Sequence, residues 1–338
     1  MRKVLITGGA GFIGSTVASA LLDRGITPVV LDDLSEGRAE FVENRVFYRG
    51  DVADAALLER IFTDHPDIDA TVHCAARIVV PESVAKPLFY YRENVAKTVE
   101  LLDALQRHGC TRVVFSSSAS IYAPTPDGRV DESSAVEANS PYARTKLMME
   151  QVLRDWTRGE GAERQRVIAL RYFNPIGADP QLRTGLQNPN PSHALGKLIE
   201  AHTHGTPFTV TGVDWATRDG SGIRDYIHVQ DLAEAHVAAL LRFDEVIAPG
   251  AADRYRALNV GTGEGTTVRE LVAAFEQAVD TELDVREAGP RPGDVIGCYA
   301  SVDAARELLG WTARRSLAEG VADALAWRAQ WTARLGVG

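Results

Sequence analysis

Residues 3–14 constrain the fold more tightly than any other stretch. Lys3-Val4-Leu5-Ile6-Thr7 is a short, β-rich apolar run, Gly8-Gly9-Ala10-Gly11-Phe12-Ile13-Gly14 follows at once, and a helical pattern then runs to Leu22. The order is strand, glycine turn, helix. Glycines at 8, 11 and 14 let the backbone turn tightly and approach a pyrophosphate, which the positive end of the following helix favours. A second apolar run, Val29-Val30-Leu31, ends in Asp32-Asp33, where a carboxylate can accept hydrogen bonds from an adenosine ribose and disfavours a 2′-phosphate. Glycines at a turn can serve packing alone. Here strand, glycines, helix, second strand and terminal acid follow one another at the spacing of a dinucleotide site, and the acid favours NAD over NADP.

Two further strand candidates, Arg45-Val46-Phe47-Tyr48 and Ala70-Thr71-Val72-His73-Cys74, lead into loops at the carboxyl edge of the sheet, where Asp51 and the Ala75-Ala76 pair follow. That edge carries the ligand in an open parallel sheet, so Asp51 can face an adenine and the small alanines can admit a nicotinamide ribose. Asp51 reads nearly as well as a cap for a helix starting near Ala55. Leu88 to Arg107 reads as one long helix with Asn94 in its first half. Arg112-Val113-Val114-Phe115 is a strand running into Ser116-Ser117-Ser118, and Arg166 to Tyr172 is another, ending at Phe173-Asn174-Pro175-Ile176-Gly177. This alternation indicates an α/β chain on a Rossmann-type, doubly wound parallel sheet. After Gly177 it breaks. A Pro- and Asn-rich stretch through Pro191 reads as an exposed connection, and shorter mixed elements follow, including helices from Asp231 to Phe243 and Val268 to Ala278.

The reactive groups are expected in Ser140-Pro141-Tyr142-Ala143-Arg144-Thr145-Lys146. Ser140 suits a helix cap and Pro141 the first helical position, so Tyr142 and Lys146 become i and i+4 neighbours. A cation near a phenol favours the phenolate, which makes Tyr142 a candidate general base near neutrality. A surface Tyr and a solvated Lys sharing a helix face is the plainer reading, and the surrounding motifs must decide. Ser118, at a strand end, can reach a substrate hydroxyl, although three serines in a row are also ordinary loop chemistry. Arg224 and Arg291 can fork onto phosphate oxyanions. His73 lies in a strand that reads as buried, which suits a satisfied core residue, and no H-E-x-x-H array suggests a metal site.

Composition excludes several classes. A formal net charge of −10 repels nucleic acid and anionic lipid, and no dense basic run reverses it locally. The N-terminal residues reach glycines too soon for a secretory apolar core, and no later run is long enough to span a membrane. Cys74, Cys110 and Cys298 form neither a disulfide framework nor a Cys-x-x-Cys pair, so a reducing cytoplasm is expected.

Thr7-Gly8-x-x-Gly11-x-x-Gly14, Ser118, Tyr142-x-x-x-Lys146, Arg171-Tyr172-Phe173-Asn174-Pro175 and Gly222-Ile223-Arg224-Asp225-Tyr226-Ile227-His228-Val229 can be read together. In order and over nearly the whole chain, they resemble the extended short-chain dehydrogenase/reductase family, most closely its UDP-glucose 4-epimerases. The resemblance implies tightly held NAD, with Phe12, Ile13, Asp32, Asp51, Val52, Asn94, Lys146 and Phe173 at cofactor positions beside Gly8, Gly11, Gly14, Ala75 and Ala76. It further implies that Tyr142, as phenolate, removes the proton of the sugar 4-hydroxyl with Ser118 in the hydrogen-bond path. Hydride would pass from carbon 4 to NAD and return to the opposite face once the 4-keto sugar has turned over. The UDP handle would lie on Asn174, Arg224, Arg291 and Asp294, leaving the sugar free to rotate. The implied division is residues 1–176 with 226–263 for NAD and 177–225 with 264–338 for the nucleotide sugar. Relatives pair two helices, here Leu88–Arg107 and Tyr142–Trp156, into a homodimer.

Departures from the family pattern bear on the substrate. A lysine that many relatives carry as a cofactor contact is replaced by Ile78, preceded by Arg77. His193-Ala194 replace an asparagine pair before Leu195, and His193 can still face the nucleotide or sugar. Cys298 is small at the position that gates bulk at carbon 2, so UDP-N-acetylhexosamines are expected to fit. UDP-glucuronate is the other alternative, with Arg77 and Arg183 as cations for its carboxylate, although solvated side chains are the plainer reading of both. A 4,6-dehydratase is disfavoured because Ala119-Ser120 stand where such enzymes carry an Asp-Glu pair. A non-catalytic NAD-binding protein is disfavoured because Tyr142 and Lys146 are both kept.

Overall fold

The structure, a computed structural model, describes residues 1–188, 191, 193–290 and 295–335. Its frame is a seven-stranded sheet made of β1 (Lys3–Thr7), β2 (Thr27–Asp32), β3 (Val46–Arg49), β4 (Ile68–His73), β5 (Arg112–Ser118), β6 (Arg166–Tyr172) and β7 (Tyr255–Val260). The spatial order is β7-β6-β5-β4-β1-β2-β3. Every neighbouring pair is parallel. Strand order reverses between β1 and β4, so the connections leaving those two strands diverge and open a crevice at their carboxyl ends.

Burial on both faces explains the near-continuous apolar strands. On one face Val4, Ile6, Val30, Val72, Val114 and Ile168 pack with Val17, Leu21, Leu232 and Leu240 of the Phe12–Leu22 and Val229–Leu241 helices. On the other, Leu5, Val29, Leu31, Val113 and Phe115 pack against Leu58, Ile61, Leu101, Leu105, Met149 and Leu153 from three more helices. Alternation along β1, with Val4 and Ile6 to one side and Leu5 to the other, follows the period-two geometry of a strand.

A separate core of Leu195, Leu198, Phe208, Val210, Tyr226, Leu271, Phe275 and Val321 builds the smaller mixed part. Its strands come in pairs, Phe208–Thr211 with Val285–Ala288 and Ile223–Arg224 with Thr266–Thr267. Residues 303–311 belong elsewhere. Ala305, Leu309 and Trp311 pack into the core beneath the large sheet, although the sequence division assigns them to the smaller part. Long-range contacts hold them there: Trp311 donates to the Asp231 carbonyl, and Asp231 accepts from the Arg314 and Arg315 amides.

The helix expected over Leu88–Arg107 is not uniform. It begins at Pro87, widens into a π-helical turn over Tyr91–Ala96, and continues as α-helix over Lys97–Arg107. The wide turn contains Asn94, whose side chain is fully buried. Among the described residues no helix is long and apolar enough to cross a membrane.

Candidate active site

The glycine turn lies at the crevice. Gly8 has φ +70°, and a Cβ there would lie 2.7 Å from the Ala75 amide nitrogen. Only a glycine allows the end of β1 to pass so close to the chain leaving β4. A Cβ on Gly14 would collide with the Gly8 carbonyl, so the first helical turn, with Phe12 and Ile13, sits directly on the bend. Gly11 precedes the helix with no side chain to cap it, which leaves the first amides for an anion. At the end of β2, buried Asp32 accepts from the Ala10 amide at 3.0 Å and the Leu34 amide at 2.8 Å. Burial pushes its carboxyl up, and those two bonds oppose the shift. A bare backbone cradle with an acid at the next strand end fits a dinucleotide.

The other expected cofactor residues fall along the same edge with different freedom. Asp51 binds Lys97 at 2.6 Å and the Ala53 amide at 2.9 Å. It does not cap the next helix; Asp54 does, accepting from the Ala56 and Leu57 amides. Val52 packs on the core, and Ala75 and Ala76 are half-buried, with the Ala75 backbone against Gly8. Asn94 accepts from the Arg77 amide at 2.7 Å and donates to the Arg77 carbonyl at 3.0 Å and Thr145 at 2.9 Å. Its amide is thereby committed within the protein, tying the loop after β4 to the helix that bears Tyr142. Ile78 is 63% exposed.

Ser140 caps the Pro141–Trp156 helix by accepting from the Ala143 amide at 3.1 Å, with Pro141 in the first turn, as the motif predicts. Tyr142, Lys146 and Ser118 are all buried at the end of β5. The serines lie within the strand, not in a loop. Burial raises the Tyr142 phenol above its ordinary value, and the Ser118 hydroxyl opposes the rise; that hydroxyl donates to Ser120 Oγ at 3.0 Å and accepts from the Ser120 amide at 3.2 Å. Lys146 donates to the Ser116 carbonyl at 2.8 Å and stands 5.1 Å from the Phe115 ring centre. Burial lowers its ammonium to about 8, with Cys74 and Glu150 opposing. Shared helix spacing therefore does not by itself make the lysine lower the phenol, because Ser116 holds the ammonium.

At the far side of the crevice, Phe173 packs with Ala119, Tyr122 and Ala300, and Cys298 lies against this cluster. Arg224 donates to the carbonyls of Ile223 at 2.7 Å and Ile296 at 2.8 Å, which holds it beside the Cys298 segment. Asn174 starts a short strand paired with Tyr226–His228. His193 caps the Ala194–His204 helix through Nδ1, while its buried Nε2 has no hydrogen-bond partner among the described residues; burial lowers the ring to about 4. Leu195 is buried in the smaller core. Arg291 and Asp294 lie outside the described residues. Arg183 is bound by Asp23 and Asp179, and Arg77 by Glu36, so both cations already have carboxylate partners. His73 is satisfied between Thr7 and Thr98, as its strand position predicts.

Two buried groups escaped the sequence reading. Asp225 accepts from the Thr262 amide and hydroxyl and from the Gly263 and Ala300 amides, fixing the 261–263 turn beside Arg224. Glu150 pairs with Arg171 at 2.7 Å. The spacing of Glu150, four residues after Lys146, places it on the same helix face and could have exposed it.

A family profile described as the NAD dependent epimerase/dehydratase family matches residues 4–261. A UDP-glucose 4-epimerase of Azospirillum brasilense is 43% identical over 328 residues, covering 96% of this chain and 91% of that protein. Among solved structures, the UDP-glucose-4-epimerase of Stenotrophomonas maltophila, with bound NAD and formylated UDP-arabinopyranose, superposes with a TM-score of 0.92 at 36% identity, covering 98% of this chain and 100% of that one. That of Bifidobacterium longum, in complex with NAD+ and UDP, gives 0.88 at 33% identity, covering 97% and 98%.

Proposed function

The chain belongs to the NAD dependent epimerase/dehydratase family, and from that premise we propose that it interconverts UDP-glucose and UDP-galactose by inverting carbon 4, with NAD as its cofactor. The observation that carries this reading is the burial of Ser118, Tyr142 and Lys146 together at the end of β5, the strand next to β4 at the switch point. Bound NAD supplies hydride acceptance at carbon 4, return of the hydride to the same carbon, and a positive charge on its oxidised ring.

The protein's own groups do the rest. Tyr142 takes the proton of the sugar 4-hydroxyl, and Ser118 keeps phenol and hydroxyl in one hydrogen-bonded line. Burial alone leaves the phenol a weak base, so positive charge near the ring is needed to favour the phenolate. Lys146 supplies part of it: with its ammonium at about 8, it remains mostly charged at neutral pH. Asn174 and Arg224 hold the nucleotide diphosphate, with Arg291 and Asp294 assigned to the same task from the sequence. Gripping the UDP end allows the oxidised sugar to turn and present its other face. Asp32 and the amides at the start of the Phe12–Leu22 helix hold the dinucleotide.

Cys298 favours a second substrate class. A thiol against Phe173 and Ala119 leaves more room than an aromatic side chain, which supports acceptance of UDP-N-acetylhexosamines. No comparable observation favours a uronic acid, since Arg77 and Arg183 have carboxylate partners. The three cysteines are free thiols, which supports a reducing, cytoplasmic setting. Exposed Leu88, Val99 and Met148 on the two helices that relatives pair support a homodimer.

The test is proton NMR of purified protein with UDP-glucose. The wild type forms the 4-epimer, and Tyr142→Phe loses ~100-fold or more in rate. Absence of epimer from the wild type, or retention of full rate in Tyr142→Phe, contradicts the assignment.

A further inference from the structure

Three consecutive serines at the end of β5 each meet a residue of the Pro141–Trp156 helix, and the three helix residues are one turn apart. The Ser118 hydroxyl faces Tyr142, where it opposes the rise of the buried phenol. The Ser116 carbonyl accepts from Lys146 Nζ at 2.8 Å, and the Ser117 hydroxyl donates to Glu150 Oε1 at 2.5 Å. Positions 142, 146 and 150 follow the i, i+4, i+8 repeat of one helix face. The first two helix residues belong to the proposed chemistry. The third touches no reacting atom.

Glu150 is nevertheless the most tightly built of the three contacts. Arg171, on β6, donates through Nε to Glu150 Oε1 at 2.9 Å and through Nη2 to Oε2 at 2.7 Å, a two-pronged pairing. Its Nη1 donates to the Tyr122 hydroxyl at 3.0 Å, and Tyr122 in turn donates to Asn259 Oδ1 on β7 at 2.6 Å. Ser117, Glu150 and Arg171 are all buried. A charged pair so placed costs desolvation, so stability alone is a poor reason for it.

We propose that Ser117, Glu150 and Arg171 form a positioning clamp that sets the register of β5 against the helix bearing Tyr142 and Lys146. The clamp acts one residue from Ser118 on the strand and one turn from Lys146 on the helix. A slip of the helix along the strand separates Tyr142 from Ser118 and Lys146 from the Ser116 carbonyl together. Glu150 also presents negative charge to Lys146. Among the described residues, the titratable groups facing that ammonium are Glu150 on its own helix, His73 at the end of β4 and Cys74 just after it. Burial keeps the Cys74 thiol up at about 11 and the His73 ring down at about 3, so both are uncharged at neutrality. The ion-paired carboxylate of Glu150 thus favours the charged form of Lys146.

The inference rests on the epimerase reading, and its test keeps the two separable. Wild type, Tyr142→Phe, Ser117→Ala and Glu150→Gln are assayed together for 4-epimer formation from UDP-glucose, with kcat followed from pH 6 to 10 and melting recorded for each. Ser117→Ala removes one prong and leaves the Glu150–Arg171 pair. It lowers kcat ~10- to 100-fold, the scale of a misplaced reacting group, with KM and melting temperature near wild type. Glu150→Gln moves the alkaline limb of the kcat profile to lower pH, because Lys146 then loses its proton more easily. If the wild type forms no epimer, the underlying reading fails. If the wild type turns over and Ser117→Ala matches it, the clamp has no positioning role; if Glu150→Gln leaves the alkaline limb where it is, Glu150 does not act on the Lys146 ammonium.

Discussion

At the scale of single residues, the account turns on which buried groups are free to act and which are committed. Asn94 and Asp51 stand at the cofactor edge, but their side chains are engaged by Arg77, Thr145, Ala53 and Lys97. Cys298 is different: it lies half-buried against the cluster of Ala119, Tyr122, Phe173 and Ala300, with a small side chain where a larger one would add bulk. Cys298→Tyr should therefore lower kcat/KM for UDP-N-acetylglucosamine ~10- to 200-fold more than for UDP-glucose, measured side by side. Equal effects on the two substrates would show that Cys298 does not line the space around carbon 2. That Tyr142, Lys146 and Ser118 would lie together was legible because each belongs to a short motif at a strand end or helix start. The Glu150–Arg171 pair was not, because its two members lie 21 positions apart: spacing from Lys146 marks the helix face of Glu150 but not its partner.

At the scale of elements, sequence patterns read best where backbone geometry dictates the residue. Gly8 and Pro141 sit at the turn and helix start that their conformational preferences predict. Gly8→Ala places a Cβ against the Ala75 backbone and in a left-handed conformation, at a cost of at least ~1–2 kcal/mol. The variant should lose NAD during purification, seen in the absorbance ratio of the eluted protein, and should melt lower than the wild type. Wild-type NAD content would contradict the role given to this turn. The π-helical turn over Tyr91–Ala96 was not legible. Its sequence, Tyr-Arg-Glu-Asn-Val-Ala, has ordinary helical periodicity, and the widening coincides with three tertiary hydrogen bonds of Asn94.

At the scale of the molecule, the parallel sheet and its switch point follow from the alternation of strands and helices. The placement of residues 303–311 does not, because Trp311 reaches the large core through contacts with Asp231 that no local pattern announces. Burial on both faces of the sheet also has a pH signature. His73 and His236 are fully buried, and burial lowers their rings to about 3 and about 4. Both folded values lie below the unfolded one of 6.5, so the stabilisation is complete above pH ~6.5 and is lost progressively as pH falls from there to the folded values. Each ring should cost roughly 2 kcal/mol at pH 5 relative to pH 8. Urea midpoints measured across that range should fall, and a flat profile would contradict neutral burial of the two rings.

The central claim is that one hydride leaves carbon 4 and returns to carbon 4 within a single site framed by Tyr142, Lys146 and the glycine cradle. UDP-glucose deuterated at carbon 4 tests it most directly, with the product examined by NMR and mass spectrometry in ordinary water. The account predicts UDP-galactose that retains the deuterium at carbon 4, with none released to solvent. Product formed with deuterium lost to water would contradict it, because inversion would then proceed by exchange of a proton at carbon and not by a hydride taken and given back.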